Sequence, residues 1–128
     1  MKATLLTLAA LCALILSGCT TPVAIDPMTG EDQVAEYRAG YFYAPLDASI
    51  GHVFKTAIRE LDNMGYFRTG ELHRKTEITI YARKVGDQPV SLRATQMEDG
   101  RSQVRIRVGR LGNLAESQNI FARVRDAL

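Results

Sequence analysis

The sequence predicts an α+β fold in which an antiparallel sheet of about five strands carries two helices on one face, in the order strand, helix, four strands, helix. Three observations support this class. Apolar residues recur at spacings of three and four in two segments, which is typical of helices that bury one stripe. Three segments between them alternate apolar and polar residues, which is typical of strands that bury one face. Placing both helices on the apolar face of the sheet buries all of these surfaces together.

The first 18 residues have the organisation of a secretion signal. Lys2 provides a positive charge, and an almost uninterrupted apolar run follows over residues 3–16. The run is shorter than the roughly 20 residues that a membrane-spanning helix needs. The segment Leu16-Ser17-Gly18-Cys19 resembles a bacterial lipobox, in which the cysteine thiol receives diacylglycerol. We therefore predict that residues 1–18 are removed as a signal peptide and that Cys19 is lipidated.

Lipid on Cys19 would anchor the protein durably, because two or three acyl chains contribute about 0.8 kcal/mol for each buried CH₂. Thr20 follows the cysteine where aspartate would favour the inner membrane. By resemblance to lipoprotein sorting in Gram-negative bacteria, this predicts the outer membrane, facing the periplasm. The alternative is an ordinary secretory signal with a chance cysteine near its end. Cys12 would leave with the signal peptide, so the mature domain would fold without a disulfide.

The mature chain has the size of one domain, because removing the first 18 of 128 residues leaves 110. The chain is 46% apolar and 23% charged, which argues against disorder. Without Lys2 its side chains carry 15 basic and 14 acidic groups, which gives no signal for nucleic-acid binding. Turn-forming residues are concentrated in residues 20–33. We therefore predict a lipidated cysteine and flexible tether over residues 19–35 and a single α+β domain over residues 36–128.

The first strand is predicted over residues 36–43, where flat aromatic side chains suit a pleated, half-buried surface. By parity, its tyrosines Tyr37, Tyr41 and Tyr43 share one face of the strand. Pro45 then ends the strand, because it lacks a backbone donor for the next pairing.

The long helix is predicted to follow at once, with Pro45 or Leu46 in its first turn. Gly65 can take the left-handed conformation that ends a helix. His52 lies on the polar face of this helix and is predicted to be exposed to solvent rather than to act as a ligand.

Four strands are predicted between the helices, and the first of them, over residues 66–72, is interrupted by Gly70. The Asp99-Gly100 pair is a favoured hairpin turn before the last strand. The last helix is predicted to begin at Asn113, which together with Glu116 resembles a capping box. The apolar positions of the strands are Ile78, Ile80, Ala82, Val90, Leu92, Ala94, Val104, Ile106 and Val108, and those of the last helix are Ile120, Phe121, Val124 and Leu128.

Two segments resemble a known family. Residues 104–117 read Val-Arg-Ile-Arg-Val-Gly-Arg-Leu-Gly-Asn-Leu-Ala-Glu-Ser, and Tyr43-Ala44-Pro45-Leu46-Asp47 precedes the long helix. They resemble small bacterial lipoproteins of the domain-of-unknown-function family 3568, over residues 37–128. These motifs are structural rather than catalytic. The order of elements is also similar to the TATA-binding-protein-like topology, an analogy of fold that says nothing about DNA.

No pattern of residues supports catalysis or a cofactor. A nucleophilic site needs a serine or cysteine with a positioned base, and no motif places either histidine in that role. His73 and Glu71 are close in sequence, but two residues are too few to predict a metal site. We expect a protein without enzymatic activity, cofactor or metal.

A basic patch is predicted on the polar face of the sheet, with Tyr81 among its members. Guanidinium groups suit phosphate and carboxylate, which the bacterial envelope offers on lipids, polysaccharides and acidic proteins. The favoured interpretation of such a face is an ordinary solvated surface with charge pairing between strands, and the anion-binding patch is the competing hypothesis. The predicted anion-binding residues are Arg83, Arg93, Arg105 and Arg107.

These observations predict a lipid-anchored envelope protein that faces the periplasm and has a non-enzymatic interaction or scaffold role. The alternative is a binding module for anionic lipid or polysaccharide that uses the arginine-rich face; a hydrolase is a distant third. The predicted partners are the membrane, through lipid on Cys19, and either an envelope protein or an anionic lipid or polysaccharide, but not nucleic acid.

Overall fold

The computed structural model describes residues 21–23, 35–84, 86 and 88–128, and the signal peptide and Cys19 lie outside these residues. All strand pairings are antiparallel, in the order β1-β2-β3-β7-β6-β5-β4. This confirms the α+β class and corrects the width of the sheet to seven strands. The elements are β1 Thr21–Val23, β2 Ala35–Arg38, β3 Tyr41–Leu46, α1 Ile50–Asn63, β4 Phe67–His73, β5 Glu77–Lys84, β6 Gln88–Gln96, β7 Ser102–Val108 and α2 Leu114–Ala127.

Both helices pack on the same face of the sheet, as predicted. The rings of Phe42 in β3 and Phe121 in α2 are 5.3 Å apart, and both residues are fully buried. The ring of Phe54 in α1 lies 4.9 Å from that of His73 in β4, which is on the same side of the sheet. The predicted strand positions form the floor of this core: Ile80, Ala82, Val90, Leu92, Ala94, Val104, Ile106 and Val108 are all buried.

The predicted first strand is two strands, because a two-residue turn separates β2 from β3. Ala39 and Gly40 have φ values of 51° and 81°, which is the backbone of a tight hairpin turn. The turn reverses the parity of the tyrosines. Tyr37 pairs with Phe42 and lies on the helix side, whereas Tyr41 and Tyr43 lie on the opposite face, so the prediction that the three share a face was wrong.

The start of α1 also differs from the prediction. β3 continues through Leu46, and Pro45 is tolerated there because the pairing of β3 with β2 ends at Tyr43. The helix begins at Ile50 after Ser49, whose side chain accepts a hydrogen bond of 3.3 Å from a backbone N–H of the first turn. At the other end Gly65 has φ 84°, which confirms its predicted role in ending the helix.

The last helix begins as predicted. Asn113 caps α2, because its side-chain oxygen accepts a 3.1 Å hydrogen bond from the backbone N–H of Glu116. The predicted stripe is buried at Ile120, Phe121 and Val124. Leu128 lies beyond the last helical residue, Ala127, and is 37% exposed. The prediction that Leu128 belongs to the apolar stripe of the helix was therefore wrong.

Part of the predicted tether is sheet. Thr21 pairs with Tyr37 and Val23 with Ala35, so residues 21–23 and Ala35 of the predicted range 19–35 belong to strands. Threonine and valine favour strands, and Pro22 is tolerated because β1 is the edge of the sheet. The rest of the predicted tether lies outside the described residues.

Candidate interaction surface

The face of the sheet opposite the helices is here called the open face. Alternation along the strands sends every second side chain to this side, and in the described part of the chain both helices pack on the other side. The arginines and tyrosines of the open face are Arg38, Tyr41, Tyr43, Tyr81, Arg83, Arg93, Arg105 and Arg107.

Strand register arranges these side chains in two rows across the sheet. The first row runs from Arg38 to Tyr41, Arg107, Ser91 and Tyr81. Strand register joins the members of this row except Tyr41 and Arg107, which a side-chain hydrogen bond joins. Because neighbouring strands are about 4.8 Å apart, the row brings side chains from five strands together.

The second row lies next to the first, one side-chain repeat along the strands. It runs from Tyr43 to Arg105, Arg93 and Thr79. Arg107 of the first row is therefore a neighbour of Arg105 on the same strand, and Arg93 on the adjacent strand joins them.

Tyr41 is the centre of the arginine cluster. Arg107 donates a hydrogen bond of 3.1 Å from Nη1 to the Tyr41 hydroxyl. The guanidinium carbons of Arg105 and Arg107 lie 4.5 Å and 4.9 Å from the centroid of the Tyr41 ring. The hydrogen bond from Arg107, together with the positive charges of Arg107, Arg105 and Arg93, lowers the pKa of Tyr41. These contacts hold two cations in fixed positions on the open face.

Arg93 makes different contacts from those of Arg105 and Arg107. It stands directly opposite Arg105, and like charges in that position repel each other. Arg93 turns away, with Nε 3.3 Å from a carboxylate oxygen of Glu77 and 3.2 Å from the hydroxyl of Thr79. Charge pairing between strands therefore describes Arg93, whereas Arg105 and Arg107 stack on Tyr41.

The open face has a positive balance in the described part of the chain. Its acidic residues are Glu36 in β2 and Glu77 in β5, against five arginines. The structure places all four predicted arginines on this face. Arg83 is half-buried and pairs with Pro89. Arg83 and Arg93 therefore lie on opposite sides of the first row.

Sequence reasoning missed Arg38 and the role of Tyr41. Arg38 lies on the open face with its guanidinium carbon 4.5 Å from the Tyr43 ring centroid. Both omissions have the same cause, the unrecognised turn at Ala39 and Gly40. The glycine was the only sequence signal of that turn.

A cleft of about 370 Å³ opens on the first row between Tyr41 and Tyr81. Ser91 lines it between the two tyrosines, and Arg107 and Arg110 contribute cations to its lining. The Nε atom of Arg107 is buried and has no hydrogen-bond partner in the described part of the chain. The cleft is large enough for a small anionic group and has cationic side chains along its lining.

Neither His52 nor His73 belongs to a cluster of metal-ligating side chains in the described part of the chain. His73 Nε2 lies 2.9 Å from a carboxylate oxygen of Glu71, and this contact together with Arg68 lowers the pKa of Glu71. Among the described residues, no group of three histidine, cysteine or acidic side chains could hold a metal ion. His52 is exposed on α1, as predicted.

None of the helices within the described ranges is long and apolar enough to cross a membrane.

The fold and the surface define a small α+β domain with a covered apolar sheet face and an open, basic one. The model of the family described as protein of unknown function (DUF3568) matches residues 2–127. The chain belongs to this family, which confirms the family predicted from the sequence. No curated protein matches the chain.

Proposed function

We propose that the protein is a lipid-anchored envelope protein that has no catalytic activity and binds an acidic surface of a partner protein through its open face. The observation that carries this proposal is the cluster of Arg105 and Arg107 on Tyr41, on a face that neither described helix covers. The protein would act as a scaffold or accessory that presents this face from a membrane.

The anchoring part of the proposal rests on the sequence Leu16-Ser17-Gly18-Cys19. Lipid on Cys19 would hold the chain at a membrane, and Thr20 favours the outer membrane and a periplasm-facing domain. The second half of the proposal, binding through the open face, does not depend on which membrane carries the lipid.

The composition of the open face favours a protein partner. Arginine and tyrosine are enriched at protein interfaces and among the residues that contribute most to binding. Arg105 and Arg107 are already stacked, so binding orders fewer side chains and loses less entropy. The positive balance requires an acidic complement for favourable electrostatics.

A binding module for anionic lipid or polysaccharide is the second candidate, and the cleft between Tyr41 and Tyr81 favours it. A phosphate or carboxylate in this cleft would lie near Arg107 and Arg110. Vesicles that contain phosphatidylglycerol, and an acidic polysaccharide such as heparin, test this candidate directly.

Charge reversal on the open face tests the protein-binding proposal. We expect the double variant Arg105→Glu, Arg107→Glu to lose about 3 kcal/mol of binding free energy, or roughly a hundredfold in affinity, because two pre-positioned cations become anions facing an acidic surface. The measurement is co-purification of the partner with the tagged protein from detergent-solubilised membranes, over a range of salt concentrations.

The matched control is Lys55→Glu, Lys75→Glu, which changes the net charge equally at exposed positions in α1 and the β4–β5 turn. It should retain the partner. A third variant, Arg105→Lys, Arg107→Lys, keeps the charge but loses the planar fork and should bind at an intermediate level. Equal retention by the charge-reversal and control variants, each with an unchanged unfolding midpoint, would refute binding through the open face.

A further inference from the structure

One end of the sheet exposes apolar side chains. Leu111, in the loop of residues 109–113 after β7, is 90% exposed, and Phe67 at the start of β4 is 53% exposed. Phe67 pairs with Arg83, Arg83 pairs with Pro89, and the Pro89 carbonyl accepts a 2.7 Å hydrogen bond from Gly109. These contacts place both apolar side chains at the same end of the sheet.

The loop that carries Leu111 is fixed by its backbone. Gly109 and Gly112 have φ values of 76° and 87°, which only glycine adopts easily. A side chain at Gly40 would approach the Leu111 carbonyl oxygen to 2.6 Å, so the loop lies directly against the β2–β3 turn. A loop packed against the β2–β3 turn therefore presents an almost fully exposed leucine.

The same end is basic. Arg38 ends β2, Lys84 ends β5, and Arg110 precedes Leu111; all three are exposed. The nearby Asp62 lies 3.8 Å from Arg68, which partly neutralises it. Asp87 also belongs to this stretch of sequence and lies outside the described residues.

The first described strand, which follows the predicted lipid attachment point in the sequence, begins at this end. β1 begins at Thr21, which pairs with Tyr37 beside the β2–β3 turn. Cys19 is two residues before Thr21, a distance that an extended chain covers in about 7 Å. With β1 in the sheet, lipid on Cys19 would hold the domain near the bilayer rather than at the end of a long tether. We call this end of the sheet, with loop 109–113 and the β2–β3 turn, the anchor end.

We propose that the anchor end docks on an anionic bilayer surface, with Leu111 in the interfacial region and Arg110 and Lys84 at lipid phosphates. This proposal rests on the proposed lipidation of Cys19. An exposed apolar side chain flanked by cations is the combination that interfacial membrane binding uses. The docked orientation leaves the open face at the side of the domain, where a partner can reach it.

A single tryptophan tests the docking, because the chain contains none. The lipidated mature protein with Leu111→Trp is reconstituted in vesicles of phosphatidylethanolamine and phosphatidylglycerol, with or without lipids brominated near the headgroup. The emission of the Leu111→Trp variant should shift to the blue and be quenched about twofold or more by the brominated lipids, as expected for an interfacial residue. The matched control is Leu128→Trp, at the far end of α2, which should be quenched much less.

Equal quenching at the two positions, with lipid found on Cys19 by mass spectrometry, would overturn the docking and leave the anchor intact. Absence of lipid on Cys19 would overturn the proposed lipid anchor and, with it, the docking that rests on this anchor. The variant Arg110→Glu, Lys84→Glu, made in the Leu111→Trp chain, should roughly halve the quenching at low salt, since two cations no longer meet the phosphates. Unchanged quenching in that variant would contradict the phosphate contacts.

Discussion

Replacing Gly112 with alanine should destabilise the domain by about 2–4 kcal/mol. Gly112 has φ 87°, and a Cβ atom there would overlap the Cα and carbonyl oxygen of Gly40 and approach the Tyr37 hydroxyl to 2.7 Å. Two of these neighbours are backbone atoms, so the loop after β7 and the β2–β3 turn would have to separate. The measurement is the urea midpoint of unfolding, with the m value checked for constancy.

Gly51→Ala is the matched control. Gly51 lies in the first turn of α1, and a Cβ atom there would meet no atom within 4 Å. Alanine should stabilise the helix at this position by about 0.5–1 kcal/mol. An unfolding midpoint for Gly112→Ala equal to that of the unsubstituted protein would show that the two loops do not touch as described.

Replacing Cys19 with serine should abolish membrane attachment. The thiol is the proposed site of lipid addition, and without two or three acyl chains the domain loses its durable anchor. The variant should leave the membrane fraction or accumulate as the unprocessed precursor, as measured by fractionation and by mass spectrometry of the N-terminus. Cys12→Ser is the control, because Cys12 is predicted to leave with the signal peptide, and it should behave like the unsubstituted protein. Normal processing and membrane association of Cys19→Ser would refute lipidation.

Periodicity predicted the central part of the fold well. The alternation in β5, β6 and β7 gives the buried positions Ile80, Leu92 and Ile106, and the cap of α2 is formed by Asn113 as expected. These features depend on local sequence. In a strand every second side chain points to the same face, and a helix cap involves two residues only three positions apart. The placement of both helices on one face follows from the same patterns.

The missed features depend on backbone conformations that the residue types do not favour. Ala39 adopts a positive φ in the β2–β3 turn, a conformation that alanine seldom takes. Pro45 lies inside β3. A proline is tolerated there because β2 does not pair with β3 at this position. β1 was not predicted, because it lies in a stretch rich in turn-forming residues that indicated a flexible tether.

The surface was predicted in its residues but not in its arrangement. Parity alone put Arg93, Arg105 and Arg107 on one face. The stacking of Arg105 and Arg107 on Tyr41 depends on the pairing of β3 with β7, two strands separated by more than half of the domain. Register between distant strands follows from the packing of the whole core, which a local pattern does not encode.

Photo-crosslinking from an exposed position of the open face tests the central claim most directly. A photoreactive phenylalanine analogue replaces Tyr81, which is 41% exposed, in the full-length chain in intact cells. The control position is Arg59 on α1, whose side chain is 60% exposed. Binding through the open face predicts a discrete adduct with an acidic envelope protein at position 81 only, lost when Arg105→Glu and Arg107→Glu are added. The same adduct at both positions, or an adduct at position 81 that survives the charge reversal, would contradict it.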